Sequence, residues 1–224
     1  MIKIDDIGGV WRTVGGRRIF IRDGQSLQDA MQESGKFNHI DVQDDRHKEE
    51  REYIKENTGV SEEEAQEMYG AIAHYTTTSY DDIRDLSNNS DSVVKERENL
   101  EKYIEKAPKY EGEIYRGLSF RDDDFVNQLE VGKVMDMRGI SSWSADKNVA
   151  RAFSEAYMKK NQVVITMKNK TGVDISKISA IKEEKEVLQS SKTFYSIKSI
   201  DSKNIAGPRE TTPRILWNIE VEEL

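Results

Sequence analysis

The sequence predicts an α+β fold, with helices in the first half and strands in the second. Two patterns carry that expectation. Between residues 58 and 106, apolar residues recur at helical spacing. After residue 113, short Val/Ile-rich runs take over. The last of them alternates Ile215, Trp217, Ile219 and Val221 with Leu216, Asn218, Glu220 and Glu222. Helices grouped before strands, instead of alternating with them, are the mark of α+β architecture.

Composition narrows the chemistry. A chain of 224 residues forms one or two domains and buries a sizeable core. It has no cysteine, which excludes disulfides, thiolate zinc sites and a cysteine nucleophile. His39, His47 and His74 lack the i, i+3 or i+4 spacing of a helical metal site, and no Ser-His-Asp triad is expected. The net charge of -8 argues against clamping nucleic acid by bulk charge. No apolar run is long enough for a membrane helix, and the start, Met1 to Asp6, is not a secretory signal.

The elements follow in order. Val10–Val14 and Arg17–Ile21 flank Gly15-Gly16 and read as a β-hairpin, because a glycine pair supplies the positive φ of a two-residue turn. Residues 1–40 form a glycine-rich arm, and residues 41–224 the main domain. Asp41 to Glu56 is almost wholly charged, a solvated linker or surface helix. Ser61 with Glu64 is a capping box that opens a helix with Ala65, Met68, Tyr69, Ile72 and Ala73 on its buried face. The hydroxyl-rich run Tyr75 to Tyr80 ends that helix. A short helix over Asp81–Leu86 and a longer one over Val93–Lys106, stopped before Pro108, come next.

The second half opens with a strand over Glu113–Leu118 and another over Gly139–Ser144. Asp146 caps a helix with Val149, Ala150, Phe153, Ala156 and Tyr157 on one stripe. Strands over Gln162–Met167, Glu186–Leu188 and Phe194–Ile200 precede the final one.

Three short pieces stand in a telling order: Tyr115-Arg116-Gly117, then Ser142-Trp143-Ser144, then Glu184-Lys185-Glu186-Val187-Leu188. A Glu-x-Glu triplet alone carries nothing, since 42 acidic residues in 224 produce several by chance. Taken together, the three pieces resemble the mono-ADP-ribosyltransferases of the arginine–serine–glutamate class, which include binary-toxin enzymatic components. The resemblance covers about residues 58 to 200. It extends to Tyr75-Thr76 with Tyr80 and Ile83, and to Phe153 on the helix after the serine motif.

The resemblance implies a fold of N-terminal helices followed by two packed, mainly antiparallel sheets with a cleft for NAD. It implies that NAD is cleaved at its nicotinamide–ribose bond, with no metal. Arg116, Ser142, Glu184 and Glu186 are the implied catalytic residues. Arg116, Gly117, Ser142, Phe153, Tyr75 and Tyr80 are the implied NAD contacts. Positive charge builds on the ribose as the bond breaks, and a fixed carboxylate stabilises it. Glu186 takes that role by family analogy, and Ser142 positions it. Glu184 orients or deprotonates the acceptor, and Arg116 holds phosphate or ribose oxygens with its guanidinium fork. In an extended segment Glu184 and Glu186 face the same way.

Some roles stay open. Ser144 reads better as a helix cap. Phe153 fits core packing as well as nicotinamide stacking, and Tyr75 and Tyr80 either line the cleft or pack inside. Two departures from the family pattern stand out: Trp143 replaces the usual threonine and would reshape the cleft floor, and the loop Ser176–Glu183 has Ile178 and Ile181 but no aromatic.

The arm, with Gly8-Gly9, Gly15-Gly16 and Gly24-Gln25-Ser26-Leu27, resembles a linker of phage minor head proteins. The expected activity is transfer of ADP-ribose from NAD to a protein acceptor, most simply an arginine. NAD hydrolysis and a non-catalytic phage head component are the alternatives. Expected partners are the acceptor protein and phage head proteins, with no membrane and no nucleic acid. The expected location is a phage virion or host cytoplasm, with secretion left open.

Overall fold

The structure is a computed structural model that describes residues 1–4, 9–14, 17–22, 45–77, 79–156, 159–207 and 213–224. The chain divides into two compact units. A helical unit takes Ile7–Pro108 and Lys177–Lys182, and a β unit takes Met1–Asp6, Lys109–Ser176 and Glu183–Leu224.

In the helical unit, β2 (Gly9–Val14) and β3 (Arg17–Arg22) form the expected hairpin and pair only with each other. Their register closes on Val14 opposite Arg17. Residues 5–8, 15–16 and 23–40 of the glycine-rich arm, including the Gly15-Gly16 turn, lie outside the described residues. The charge-dense run resolves into a 3-10 turn, Asp45–His47, and helix α1 (Lys48–Thr58), with Ile54 fully buried. Gly59 ends α1 with φ +68, a left-handed value that favours glycine.

Helix α2 (Glu62–Tyr75) opens with the expected capping box, Ser61 with Glu64, and all five residues of its expected stripe are buried. Helix α3 (Tyr80–Arg84) is short, and α4 (Asp91–Lys106) ends at Ala107, before Pro108. Arg97 on α4 donates to the carbonyls of Ile83, Asp85 and Asn88, each at 2.6 Å. One guanidinium thereby satisfies the main chain at and beyond the end of α3. His74 Nδ1 lies 2.6 Å from Glu96 Oε1, which ties α2 to α4 and raises the imidazole pKa.

The β unit holds β1 (Ile2–Lys3), β4 (Glu113–Phe120), β5 (Val134–Asp136), β6 (Ser141–Ser144), β7 (Asn161–Lys168), β8 (Val173–Asp174), β9 (Glu186–Gln189), β10 (Phe194–Asn204) and β11 (Ile215–Glu223). Helix α5 (Lys147–Glu155) is its one α-helix among the described residues. The strands form one mixed sheet in the order β1-β5-β10-β11-β7-β4-β6-β9-β8. Two packed, mainly antiparallel sheets were expected. Hydrogen bonding instead runs through all nine strands, with β4 and β6 joined by the single pair Tyr115–Ser144. Two pairings, β1 with β5 and β11 with β7, are parallel.

The first strand was not expected. Ile2 is fully buried and Ile4 nearly so, in one cluster with Met135, Trp143, Ile165 and Tyr195. Ile2 and Ile4, ahead of the glycine-rich hairpin, therefore pack in the core of the β unit. Among the described residues no helix is long and apolar enough to cross a membrane.

Candidate active site

Strands β4, β6 and β9 lie side by side in that order, and each carries one of the three motifs. Arg116 is on β4, Ser142 and Ser144 are on β6, and Glu186 opens β9. The antiparallel β6–β9 register sets Ser144 opposite Glu186 and Ser142 opposite Leu188. Opposed residues share a face, as do residues two apart along one strand. Ser142, Ser144 and Glu186 therefore share one face, and Ser142 is the diagonal neighbour of Glu186.

Trp143 and Val187 point the other way, into the core. Trp143 is 2% exposed, its ring lies 5.5 Å from that of Tyr195, and its Nε1 donates to Ser141 Oγ at 3.1 Å. The expectation that Trp143 reshapes a cleft floor is corrected by strand alternation, which sends the middle residue of the motif away from the serines.

Arg116 and Glu186 are both buried, each 5% exposed. Arg116 projects on the same side of β4 as Ile114 and Leu118, and its Nη1 donates to the main-chain carbonyl of Ser142. A buried cation and a buried carboxylate thus come from the two strands that flank β6. Buried charges of this kind are stable only where other groups compensate them, which makes them candidates for function.

Gly117, expected among the NAD contacts, lies close against helix α5. A Cβ there would lie 1.7 Å from the carbonyl oxygen of Ala150 and 2.9 Å from the amide nitrogen of Ser154. Helix α5 rests directly on β4 at this point. The contact also corrects the expected stripe of α5. Only small side chains fit beneath a helix that lies so close, so Ala150 and Ser154 face the strand. Phe153 is 50% exposed, which excludes core packing, and Ala156 is also exposed. Tyr157 lies outside the described residues. Asp146 caps α5 as expected, accepting from Asn148 N at 2.9 Å.

The Glu-x-Glu segment is not extended. Lys182–Glu184 forms a 3-10 turn and Lys185 has φ +47, so alternation does not relate Glu184 to Glu186. Holding a lysine in the left-handed region costs about 1 kcal/mol, and three contacts from the end of β6 hold it there. Ser144 Oγ donates to the Glu184 carbonyl at 2.7 Å, and Ala145 N donates to the Lys185 carbonyl at 2.9 Å. Lys185 Nζ lies 2.9 Å from Asp146 Oδ2. Ser144 therefore staples the glutamate turn, and the helix cap belongs to Asp146. The serine pattern pointed to Ser144, but nothing in the sequence marked Lys185 as left-handed.

Glu184 is half-buried. Burial, and then the negative charge of Glu183, push its carboxyl above the ordinary glutamate value. Among the helical-unit residues, Tyr75 is 1% exposed with its ring 5.1 Å from that of Tyr80. It is a packed residue, whereas Tyr80 is partly exposed and accepts from Arg84 Nη1 at 2.7 Å. In the loop before the glutamates, Ile178 is buried and Ile181 is 38% exposed.

Residues 44–218 match the pattern of the ADP-ribosyltransferase exoenzymes. The chain belongs to that family. Over 136 residues it is 30% identical to Mav of Mycobacterium avium (strain 104), a proposed NAD(+)–arginine ADP-ribosyltransferase. That match takes in 58% of this chain and 16% of Mav, so the chain spans only a small part of the length of that relative.

Solved structures share the fold. The ADP-ribosyltransferase Vis, from Vibrio splendidus, is 20% identical in its complex with agmatine. Its TM-score is 0.58, over 86% of this chain and 90% of that one. The type III effector XopAI from Xanthomonas axonopodis pv. citri gives a TM-score of 0.57 at 15% identity, over 91% and 77%. At these identities the likeness establishes the ADP-ribosyltransferase fold.

Proposed function

We propose that the protein transfers ADP-ribose from NAD to a protein arginine and releases nicotinamide. The observation that carries this is the shared face of Ser142, Ser144 and Glu186, with the buried guanidinium of Arg116, on the strand beside β6, donating to the Ser142 carbonyl. Family membership supports NAD as the donor. The arginine activity proposed for Mav and the agmatine bound to Vis support a guanidinium acceptor.

In this reading Arg116 binds the anionic part of NAD, and Glu186 stabilises charge on the ribose as the nicotinamide–ribose bond breaks. The bonding pair leaves with nicotinamide, which becomes neutral. A guanidine nitrogen of the acceptor then bonds to the ribose carbon, and its proton passes to Glu184. A carboxyl whose pKa is raised by burial is the stronger base for that step. Ser142 positions Glu186. The exposed ring of Phe153 is available to stack on nicotinamide.

The glycine-rich arm adds a proposed setting. Its likeness to minor-head linkers suits an enzyme carried in a phage head or acting beside head proteins in the host cytoplasm.

The test is nicotinamide release from NAD, with and without agmatine. Glu186→Gln is expected to lower release by about 10²-fold, the effect of losing one preorganised electrostatic group. Glu184→Gln is expected to lose transfer to agmatine and keep hydrolysis. Unchanged release in Glu186→Gln removes that residue from the mechanism. Release that agmatine does not alter would favour water as the acceptor. A wild-type protein that neither binds nor cleaves NAD would favour a non-catalytic role.

A further inference from the structure

We propose that Asp146 and Lys185 are positioning residues that hold Glu184 at the acceptor side, independently of the strand pairing that holds Glu186. The inference rests on the acceptor-side role given to Glu184 above. The two glutamates are constrained in different ways. Glu186 belongs to β9, and the four-residue ladder Ser141–Ser144 against Glu186–Gln189 sets its place. Glu184 stands outside that ladder, at the end of a 3-10 turn, and is separated from it by a residue with φ +47.

The direction in which Glu184 leaves the strand is therefore a property of Lys185. Asp146 holds Lys185 by its side chain, with Oδ2 2.9 Å from Nζ, while Oδ1 of the same carboxylate caps α5. The hydrogen bond from Lys185 is the first cause that lowers the Asp146 carboxyl pKa, followed by the backbone bond from Asn148. One aspartate thus connects the start of the helix that carries Phe153 to the turn that carries Glu184. The bonds from Ser144 Oγ and Ala145 N to main-chain carbonyls run beside it to the same turn.

Such a clasp separates transfer from hydrolysis. Without the Asp146–Lys185 pair, the turn loses one of its side-chain restraints while the β6–β9 ladder stays intact. Glu184 would then be less well placed for the acceptor, and Glu186 would still serve NAD cleavage.

The variants are Asp146→Asn, which keeps a capping oxygen and removes the charge, Lys185→Met, which removes the ammonium, and Lys185→Arg, which keeps the pair. In the first two, the ratio of agmatine transfer to nicotinamide release without acceptor is expected to fall about two- to five-fold, the range an exposed ion pair supplies. Lys185→Arg is expected to restore it. Amide hydrogen exchange at Ala145, whose N–H is bound to the Lys185 carbonyl, is expected to quicken in the first two variants only.

An unchanged ratio in Asp146→Asn and Lys185→Met overturns the proposal, as does a parallel loss of both activities. If the wild type releases no nicotinamide, the functional reading fails. The exchange rates then decide the clasp by themselves, and unchanged exchange at Ala145 overturns it.

Discussion

Glu184 meets two opposing influences at one carboxyl group. Burial and the neighbouring Glu183 charge both favour its protonated form, and the proposed base role needs the ionised one. The acid limb of agmatine transfer should therefore lie above the ordinary glutamate range. Glu183→Gln removes the smaller of the two causes, so that limb should move to lower pH without reaching the ordinary value. A pH profile of transfer in the two proteins measures this, and a limb that does not move excludes Glu184 as the titrating base. At this scale the sequence was informative about identity more than conformation. The order of Arg116, Ser142 and Glu186 was readable because each sits on its own strand signal. The left-handed Lys185 was not, because lysine carries no local preference for positive φ. The role of Ser144 was hidden for a related reason: its partner is a main-chain carbonyl, which has no sequence signature.

The helices follow their local signals closely. The capping box of α2, its buried stripe and the stop of α4 before Pro108 all depend on contacts within a few residues. Helix α5 departs from its pattern because a neighbour decides which side faces in. A strand with a glycine beneath the helix lets the two backbones touch, so Ala150 and Ser154 turn inward and Phe153 turns out. Gly117→Ala should force α5 off β4 and destabilise the protein by about 1–3 kcal/mol, the usual range for overpacking. Thermal unfolding would register a drop of several degrees. An unchanged midpoint would mean that the helix shifts at no cost and that Gly117 is not needed for this contact. The sheet also eluded sequence reading. Individual strands were visible from alternation, but the single Tyr115–Ser144 pair that joins β4 to β6 has no local signal.

Across the whole molecule, distant segments of the chain assemble each unit. The β unit draws on Met1–Asp6 and on the last strand, and the loop Lys177–Lys182 leaves that unit to pack in the helical one. In that unit Ala180 N donates to Thr76 Oγ1 at 3.3 Å, and Lys182 lies 3.8 Å from Glu50. The end of the chain is held by a buried polar network. Glu223 accepts from Lys170 N at 2.7 Å, from Thr171 Oγ1 at 2.7 Å and from Gln189 Nε2 at 3.1 Å. Gln189 in turn donates to Asn169 Oδ1 at 2.6 Å and is the last residue of β9. Glu223→Ala takes the acceptor from several buried donors at once and should cost about 3 kcal/mol. Glu223→Gln, which keeps an oxygen, should cost less. Chemical denaturation of the three proteins measures both, and equal stability of Glu223→Ala and wild type would show that the network is not needed.

The sequence by itself determined the fold class, most helix and strand positions, and the three motifs in family order. These are readable because periodicity, caps and motif residues act locally along the chain. Only the tertiary structure decided that Ile2 and Ile4 enter the core, that α5 rests on β4 at Gly117, and that Lys185 is bridged to Asp146. Each of those depends on residues far apart in the chain meeting in space, where hydrogen bonding and close packing override local preference.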